Sequence, residues 1–330
     1  MNALQESLPV GQRAASSPRT APGQPDPPGC QSGATGYVGR FAPSPTGPLH
    51  EGSLVAALAS CLDARAHSGR WLLRIEDLDR PRMTAGALET ILEQLHALGF
   101  EPDGPRVHQS ERDALYRDAF EQLRRDGELY PCTCTRKEIA DSLSRLGVVR
   151  ERNRDLIYPG TCRSRPQKSD PHEAVAQAWR VRVNQVEINW CDREHGAIHE
   201  ALATEVGDFV LLRADKLWAY QLAVVVDDAL QQVTDVVRGA DLLGSTARQI
   251  YLQQLLGYPR PRYLHLPLVL DSQGEKLSKQ TGAKAIEVKT PVRALNRAME
   301  HLGLEALDTK SLREFWDEAP KRWSASHWMR

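Results

Sequence analysis

A strand that must give way to a helix within a few residues constrains this chain more than any other feature. Tyr37 to Arg40 carries β-formers; Pro43, Pro45 and Pro48, with the Thr46-Gly47 pair, then forbid regular structure, and a helix can begin at Glu51. Leu54, Leu58 and Leu62, interleaved with alanines, recur every four residues, so the spacing predicts an amphipathic helix ending near Gly69. His50, Gly52 and Ser53 therefore stand at a helix N-terminus. Backbone N–H groups and the helix dipole there favour an anion, and glycine lets a phosphate approach closely. The bland alternative is a proline-rich loop that opens an ordinary helix.

Further along, strands again end in polar groups. Trp71 to Ile75 reads as a buried parallel strand running directly into Glu76-Asp77-Leu78-Asp79, the end of a βαβ unit where ligands bind in open parallel sheets. Leu88, Ile91, Leu92, Leu95 and Leu98 mark a helix closed by Gly99, and another is expected from Glu111 to Asp126, before Gly127. Trp179, Val181 and Val183, followed by Val186 and Ile188, suggest short antiparallel strands forming a hairpin. Asp208 to Arg213 is an apolar strand, whereas the run from Tyr220 to Asp228 has mixed helix or strand character. Val233 to Arg238 reads as a strand ending at Arg238-Gly239-Ala240-Asp241, before a helix that reaches Gly257. Leu264 to Leu270 suggests a last core strand. It leads into a loop, Asp271 to Gln280, that carries Lys276 and Lys279; helices near Pro291 to Leu302 and Thr309 to Trp316 complete the expectation.

Composition narrows the function classes. At 330 residues the chain can hold one large domain with an insert, or two domains. Its hydrophobic fraction of 41% and charged fraction of 26% are ordinary for a soluble protein. No apolar run approaches the roughly 18 residues of a membrane span. A net charge of -1 leaves only local patches for nucleic acid. The first 36 residues, rich in Pro, Ser, Gly and Ala, are expected to be a disordered tail without a secretory core. The six cysteines are too few for a disulfide scaffold, which suggests a reducing, cytoplasmic setting. Three of them, Cys132, Cys134 and Cys162, could converge on one structural zinc ion, whose usual fourth ligand would be Cys, His or a carboxylate; His172 is the nearest histidine beyond Cys162. Three free thiols near a surface loop are the alternative.

Arg40 to Ser53, with His50-Glu51-Gly52-Ser53, resembles the HIGH signature of class I aminoacyl-tRNA synthetases. Lys276-Leu277-Ser278-Lys279-Gln280 resembles their KMSKS signature, and Arg74-Ile75-Glu76-Asp77-Leu78-Asp79 between them is similar to the glutamate-specific members. Glu51, Ser53, Leu277 and Gln280 depart from the signature letters, while the histidine, glycine and both lysines remain. Only Thr281 to Arg330 follows the lysine loop, too short for an anticodon-binding region, so the resemblance is to the truncated glutamyl-Q tRNA(Asp) synthetase family.

That resemblance implies an α/β fold: a Rossmann-like parallel sheet halved at 37–130 and 206–290, a zinc-containing insert at 131–205 and C-terminal helices at 291–330. It implies ATP held by Pro43, His50, Gly52, Ser53, Lys276 and Lys279, with His50 and Lys279 catalytic. L-glutamate is expected against Arg40, Phe41, Ala42, Pro43, Ser44, Glu76, Tyr220 and Arg238. Tyr158 is nominated to join Cys132, Cys134 and Cys162 on Zn²⁺, and Mg²⁺ to accompany ATP. The expected form is a monomer that meets no membrane and transfers glutamate to queuosine-containing tRNA(Asp). A shortened glutamyl-tRNA synthetase charging the tRNA 3′ end and an inactive tRNA-binding paralogue are the competing readings. Taken singly, the lysines could be solvated loop charges, Arg238 a surface ion pair with Asp241, Glu76 a helix-start carboxylate and Tyr220 a core aromatic. Arg248, Arg260 and Arg262 are candidates for RNA backbone contacts or for solvated surface charge.

Overall fold

Strand β1 (Val38–Phe41) has all of its residues buried, the pattern of a parallel strand covered on both faces. The structure, a computed structural model, describes residues 36–145, 156–164, 177–270 and 284–329; the N-terminal tail, the lysine loop and His172 lie outside the described residues. After β1 the proline loop leads to helix α1 (Glu51–Ala66), which crosses over to β2 (Arg70–Ile75), paired in parallel with β1 from Val38 opposite Arg70 to Phe41 opposite Leu73. Gly69 makes the return possible, because a Cβ there would lie 2.5 Å from the Tyr37 carbonyl oxygen. Helix α2 (Ala87–Ala97) follows, and β3 (Val107–His108) extends the sheet beyond β2.

Helix α3 (Asp113–Arg125) begins two residues later than its pattern suggested, because a short 3-10 turn occupies Gln109–Glu111. Strand β4 (Leu129–Cys132) precedes α4 (Arg136–Arg145) and pairs antiparallel with β5 (Ala178–Val181). The hairpin expected from Trp179 onward sits one strand later. It joins β6 (Glu187–Asp192) to β7 (Gly196–Ala201), while β5 is sandwiched between β4 and β8 (Val210–Leu212). Alternation along one strand shows that it is half covered, but not which neighbour covers it.

After the short helix α5 (Leu202–Glu205) and β8, the ambiguous apolar run becomes helix α6 (Tyr220–Leu230), buried from Leu222 to Asp228. Strand β9 (Asp235–Gly239), helix α7 (Thr246–Leu256) and β10 (Arg262–Leu266) form a second parallel unit. β10, the last strand in chain order among the described residues, lies between β9 and β6 in a sheet of order β7-β6-β10-β9. Thr234 splices the two sheets, its N–H donating to the Val38 carbonyl at 2.9 Å and its hydroxyl accepting from the Val38 N–H at 2.8 Å. β1 thus has its successor β2 on one side and β9 on the other. Strand order reverses beside β1, and such a reversal opens a crevice at the strands' carboxyl ends.

Helix α1 is not half exposed as its leucine spacing suggested: every residue from Leu54 to Ala64 except the half-buried Ala56 is buried. The alanine face is covered by α8 (Pro291–His301) and α9 (Leu312–Ser324), which pack on α1. α9 runs past Trp316 to bury Phe315, Ala319 and Trp323, one turn apart. Trp323 Nε1 donates to the fully buried Asp63 of α1 at 2.9 Å, and Tyr37 and Arg193 converge on the same carboxylate at 2.5 and 2.6 Å. Among the described residues no helix is long and apolar enough to cross a membrane.

Candidate active site and cysteine cluster

The crevice at the end of β1 is a cavity of about 930 Å³ lined by Arg40, Phe41, Ala42, Pro43, Ser44, His50, Ser53, Glu76, Tyr220 and Arg238, among others. The irregular loop along its wall is pinned rather than loose. The carbonyls of Pro43 and Pro45 accept from the N–H groups of Glu76 at 3.0 Å and Thr84 at 3.1 Å, and the Leu49 N–H donates to Gln94 of α2 at 2.8 Å. Prolines that cannot donate to a sheet are thus compatible with a wall whose carbonyls are satisfied by neighbours.

His50 caps α1, its Nδ1 accepting the Ser53 N–H at 3.4 Å. The acidic Glu51 beside it turns outward to Arg297 and His301 of α8, 2.6 and 3.3 Å away. Gly52 does not line the large cavity; it lies with His50 and Ser53 in an adjoining recess of about 220 Å³ closed by Leu266, Pro267, Leu268 and Val269. Ile286 N–H donates to the Leu49 carbonyl at 3.0 Å and Ala285 bridges His50. The described chain on both sides of the lysine loop therefore lies at this helix start. Lys276 and Lys279 are themselves outside the described residues.

Arg40 and Glu76 belong to a network of charges whose other members, Arg74, Asp227 and Asp228, were given no role by the sequence. Arg74, fully buried in β2, stands 2.7 Å from Asp228, 3.8 Å from Asp227 and 3.7 Å from Glu76. Arg40 shares Asp228 at 3.1 Å. Burial alone would raise the Asp228 pKa, but Arg40 and Arg74 together hold it below the usual carboxylate range. Asp227 accepts from Arg112 Nε at 2.6 Å, Gln109 at 2.8 Å and the Tyr116 hydroxyl at 2.9 Å. Arginine forks suit such shared carboxylates.

Glu76 is the exception in this network. Its Oε1 is buried without a hydrogen-bond partner, and burial, only partly offset by Arg74 and Arg40, pushes its pKa to about 7. A lining carboxylate with an unfilled oxygen is suited to a ligand that brings its own donor and positive charge. Tyr220, the first residue of α6, faces the same space, its hydroxyl pKa raised by burial and by Glu76. Arg238 is buried, not paired at the surface with Asp241: it donates to His265 at 3.0 Å, Gln249 at 2.9 Å and Thr246 at 2.9 Å.

A second cluster brings Cys162 back to Cys134, 28 residues earlier, and to Cys132 beside it. The sulfurs of Cys132, Cys134 and Cys162 lie within 4.8 Å of one another. The Tyr158 hydroxyl sits among them, 3.4 Å from Cys132 Sγ and 3.5 Å from Cys134 Sγ, and accepts the Cys162 N–H at 2.8 Å. Three sulfurs and an oxygen around one point fit the closed four-donor set of a structural zinc site. Arg180 backs the cluster, donating to Cys132 Sγ at 3.3 Å and stacking over the Tyr158 ring at 4.1 Å. Of the arginines considered for RNA, Arg262 is committed to Asp235 at 2.7 Å and Arg260 donates to the Asn189 carbonyl at 3.2 Å.

Residues 37–315 match the family described as tRNA synthetases class I (E and Q), catalytic domain. Fold and sequence together define the catalytic domain of a class I aminoacyl-tRNA synthetase, a ligase. A protein from Burkholderia cenocepacia named glutamyl-Q tRNA(Asp) synthetase is 60% identical over 274 residues, covering 82% of this chain and 89% of that protein. One of the same name from Aromatoleum aromaticum is 56% identical over 295 residues, covering 88% and 89%. The chain belongs to the glutamyl-Q tRNA(Asp) synthetase family. A solved structure of a glutamate tRNA ligase from Elizabethkingia meningosepticum in complex with its amino acid is similar at 32% identity and TM-score 0.64. That match covers 75% of this chain but 53% of the ligase, about half its length.

Proposed function

We propose that this protein activates L-glutamate with ATP, without needing tRNA, and then transfers the glutamyl group to the queuosine base in the anticodon of tRNA(Asp). The observation that carries the reading is one cavity in which a helix start meets two arginines and an unsatisfied carboxylate. In the first step the glutamate α-carboxylate attacks the α-phosphorus and pyrophosphate leaves. No enzyme nucleophile is required; positioning and stabilisation of developing charge suffice.

In this reading Glu76 takes the substrate ammonium, Arg40 and Arg238 take carboxylates, and Tyr220 and Ser44 with the Phe41-Ala42-Pro43 backbone complete the pocket. Arg40 already shares Asp228, which leaves Arg238, bonded to neutral groups, as the stronger anion site. His50, Ser53 and Gly52 hold ATP phosphates, with Lys276 and Lys279 drawing charge from the departing pyrophosphate. Mg²⁺ would supply further charge neutralisation at the phosphates. Cys132, Cys134, Cys162 and Tyr158 would hold a structural Zn²⁺ that ties Tyr158 and Cys162 to the end of β4. In the second step a hydroxyl of the cyclopentenediol attacks the activated carbonyl and AMP leaves. A splayed anticodon base can enter such a cleft directly.

Two measurements test this. Glutamate-dependent exchange of pyrophosphate into ATP should proceed without tRNA and be lost in Lys279→Ala. Labelled glutamate should enter tRNA(Asp) only when queuosine is present, and prior periodate oxidation of the diol should abolish incorporation. Incorporation into queuosine-free tRNA(Glu) would instead establish 3′-end charging, and absence of exchange in the parent would leave a binding paralogue.

A further inference from the structure

We propose that Asp192 and His265 form a positioning pair that fixes the Arg238 guanidinium in the substrate cavity while leaving its charge available to an anion. Arg238 is 5% exposed, and among the described residues its hydrogen bonds all end on neutral acceptors: His265 Nε2, Gln249 Oε1, Thr246 Oγ1 and the Leu242 carbonyl. Arg40 and Arg74 differ, since both bind Asp228 directly. The carboxylate behind Arg238 is instead one imidazole away. His265 is fully buried, and its Nδ1 lies 2.7 Å from Asp192 Oδ2 while its Nε2 receives Arg238 Nε at 3.0 Å.

This chain of donors settles the tautomer. Arg238 can only donate, so Nε2 must accept, and the proton belongs on Nδ1 facing Asp192. Asp192 is held in turn by the N–H groups of Glu194 and His195 at 3.0 and 3.1 Å, in the turn after β6. The groups facing His265 are Asp192 at the end of β6, His195 from the turn after it, Arg238 from β9, the Thr246 hydroxyl from α7 at 3.3 Å, and the rings of Trp190 and Tyr263. A protonated imidazole would oppose N–H to N–H and cation to cation at Arg238; burial and Arg238 outweigh Asp192 and keep His265 below its usual value. A direct Asp–Arg pair would neutralise the guanidinium. An interposed neutral imidazole aims it without doing so, as outer-shell partners aim metal ligands.

The inference rests on the reading that Arg238 receives a carboxylate of glutamate. Dissociation constants for L-glutamate and for ATP, measured by calorimetry on the full chain, test both separately. Asp192→Asn and His265→Phe should weaken glutamate on the order of tenfold, the loss of one charge-assisted hydrogen bond, with ATP unchanged. His265→Gln, whose amide oxygen can still accept from Arg238, should recover part of that loss. Glutamate affinity within twofold of the parent in His265→Phe, or an equal loss for glutamate and ATP in the near-isosteric Asp192→Asn, overturns the pair. Arg238→Lys is the control: if it leaves glutamate binding untouched, the substrate reading itself fails.

Discussion

Replacing Glu76 by Gln should make the protein more stable above neutral pH while loosening its hold on glutamate. The carboxyl titrates near 7 in the folded protein against an ordinary 4.5, because burial costs the ionised form more than Arg74 and Arg40 return. Between these values the folded state binds more protons than the unfolded one. Its contribution to stability is therefore complete below the unfolded value and is lost as pH rises through about 7. The interval is worth about 3 kcal/mol, an upper figure for a side chain that is 10% exposed. Gln has no such titration, so urea unfolding of both proteins between about pH 5 and about pH 8 should give curves that diverge toward the alkaline end, with Gln the more stable. Saturating glutamate should close the gap by bringing an ammonium to Glu76, stabilising the parent increasingly as pH rises and the variant little. Parallel curves for the two proteins would refute the argument, because the buried carboxyl would then carry no penalty.

Two further outcomes concern the scaffold. Asp63→Asn should destabilise the protein by about 3 kcal/mol, because it leaves the partly buried Arg193 without the fully buried carboxylate that pairs it; a loss below about 1 kcal/mol in tryptophan-monitored unfolding would show that Asp63 does not fasten α9 to α1. Cys132→Ser should abolish bound zinc by elemental analysis, a reading independent of activity, and undiminished zinc would remove the proposed site.

Much of the fold and pocket could be read from local pattern. Trp71 to Ile75 and Tyr37 to Arg40 are continuous apolar or β-forming runs, and parallel strands covered on both faces require such runs. Gly99, Gly127 and Gly257 end helices with positive φ, as a residue without a Cβ allows. The residues Arg40, Ser44, His50, Ser53, Glu76, Tyr220 and Arg238 come from separate stretches yet line one cavity. Only the resemblance between two short signatures related them in advance.

Other features had no local signal. The Val224-Val225-Val226 run suits a strand by propensity, but it lies in α6 because both sides of that helix are buried. Arg40 and Asp228 are 188 residues apart, and Asp192 reaches Arg238 only through His265. Spacing on one helix or strand says what a side chain's neighbours along that element are, not which distant partner the fold delivers. By itself the sequence determined where strands yield to helices and which residues stand at those ends, since prolines, glycines and apolar periodicity act over a few residues. Only the tertiary structure decided which buried charges are paired, which are left open to a ligand, and that Tyr158 sits among the three thiols, because solvation and Coulomb energies depend on what packs around a group rather than on its place in the chain.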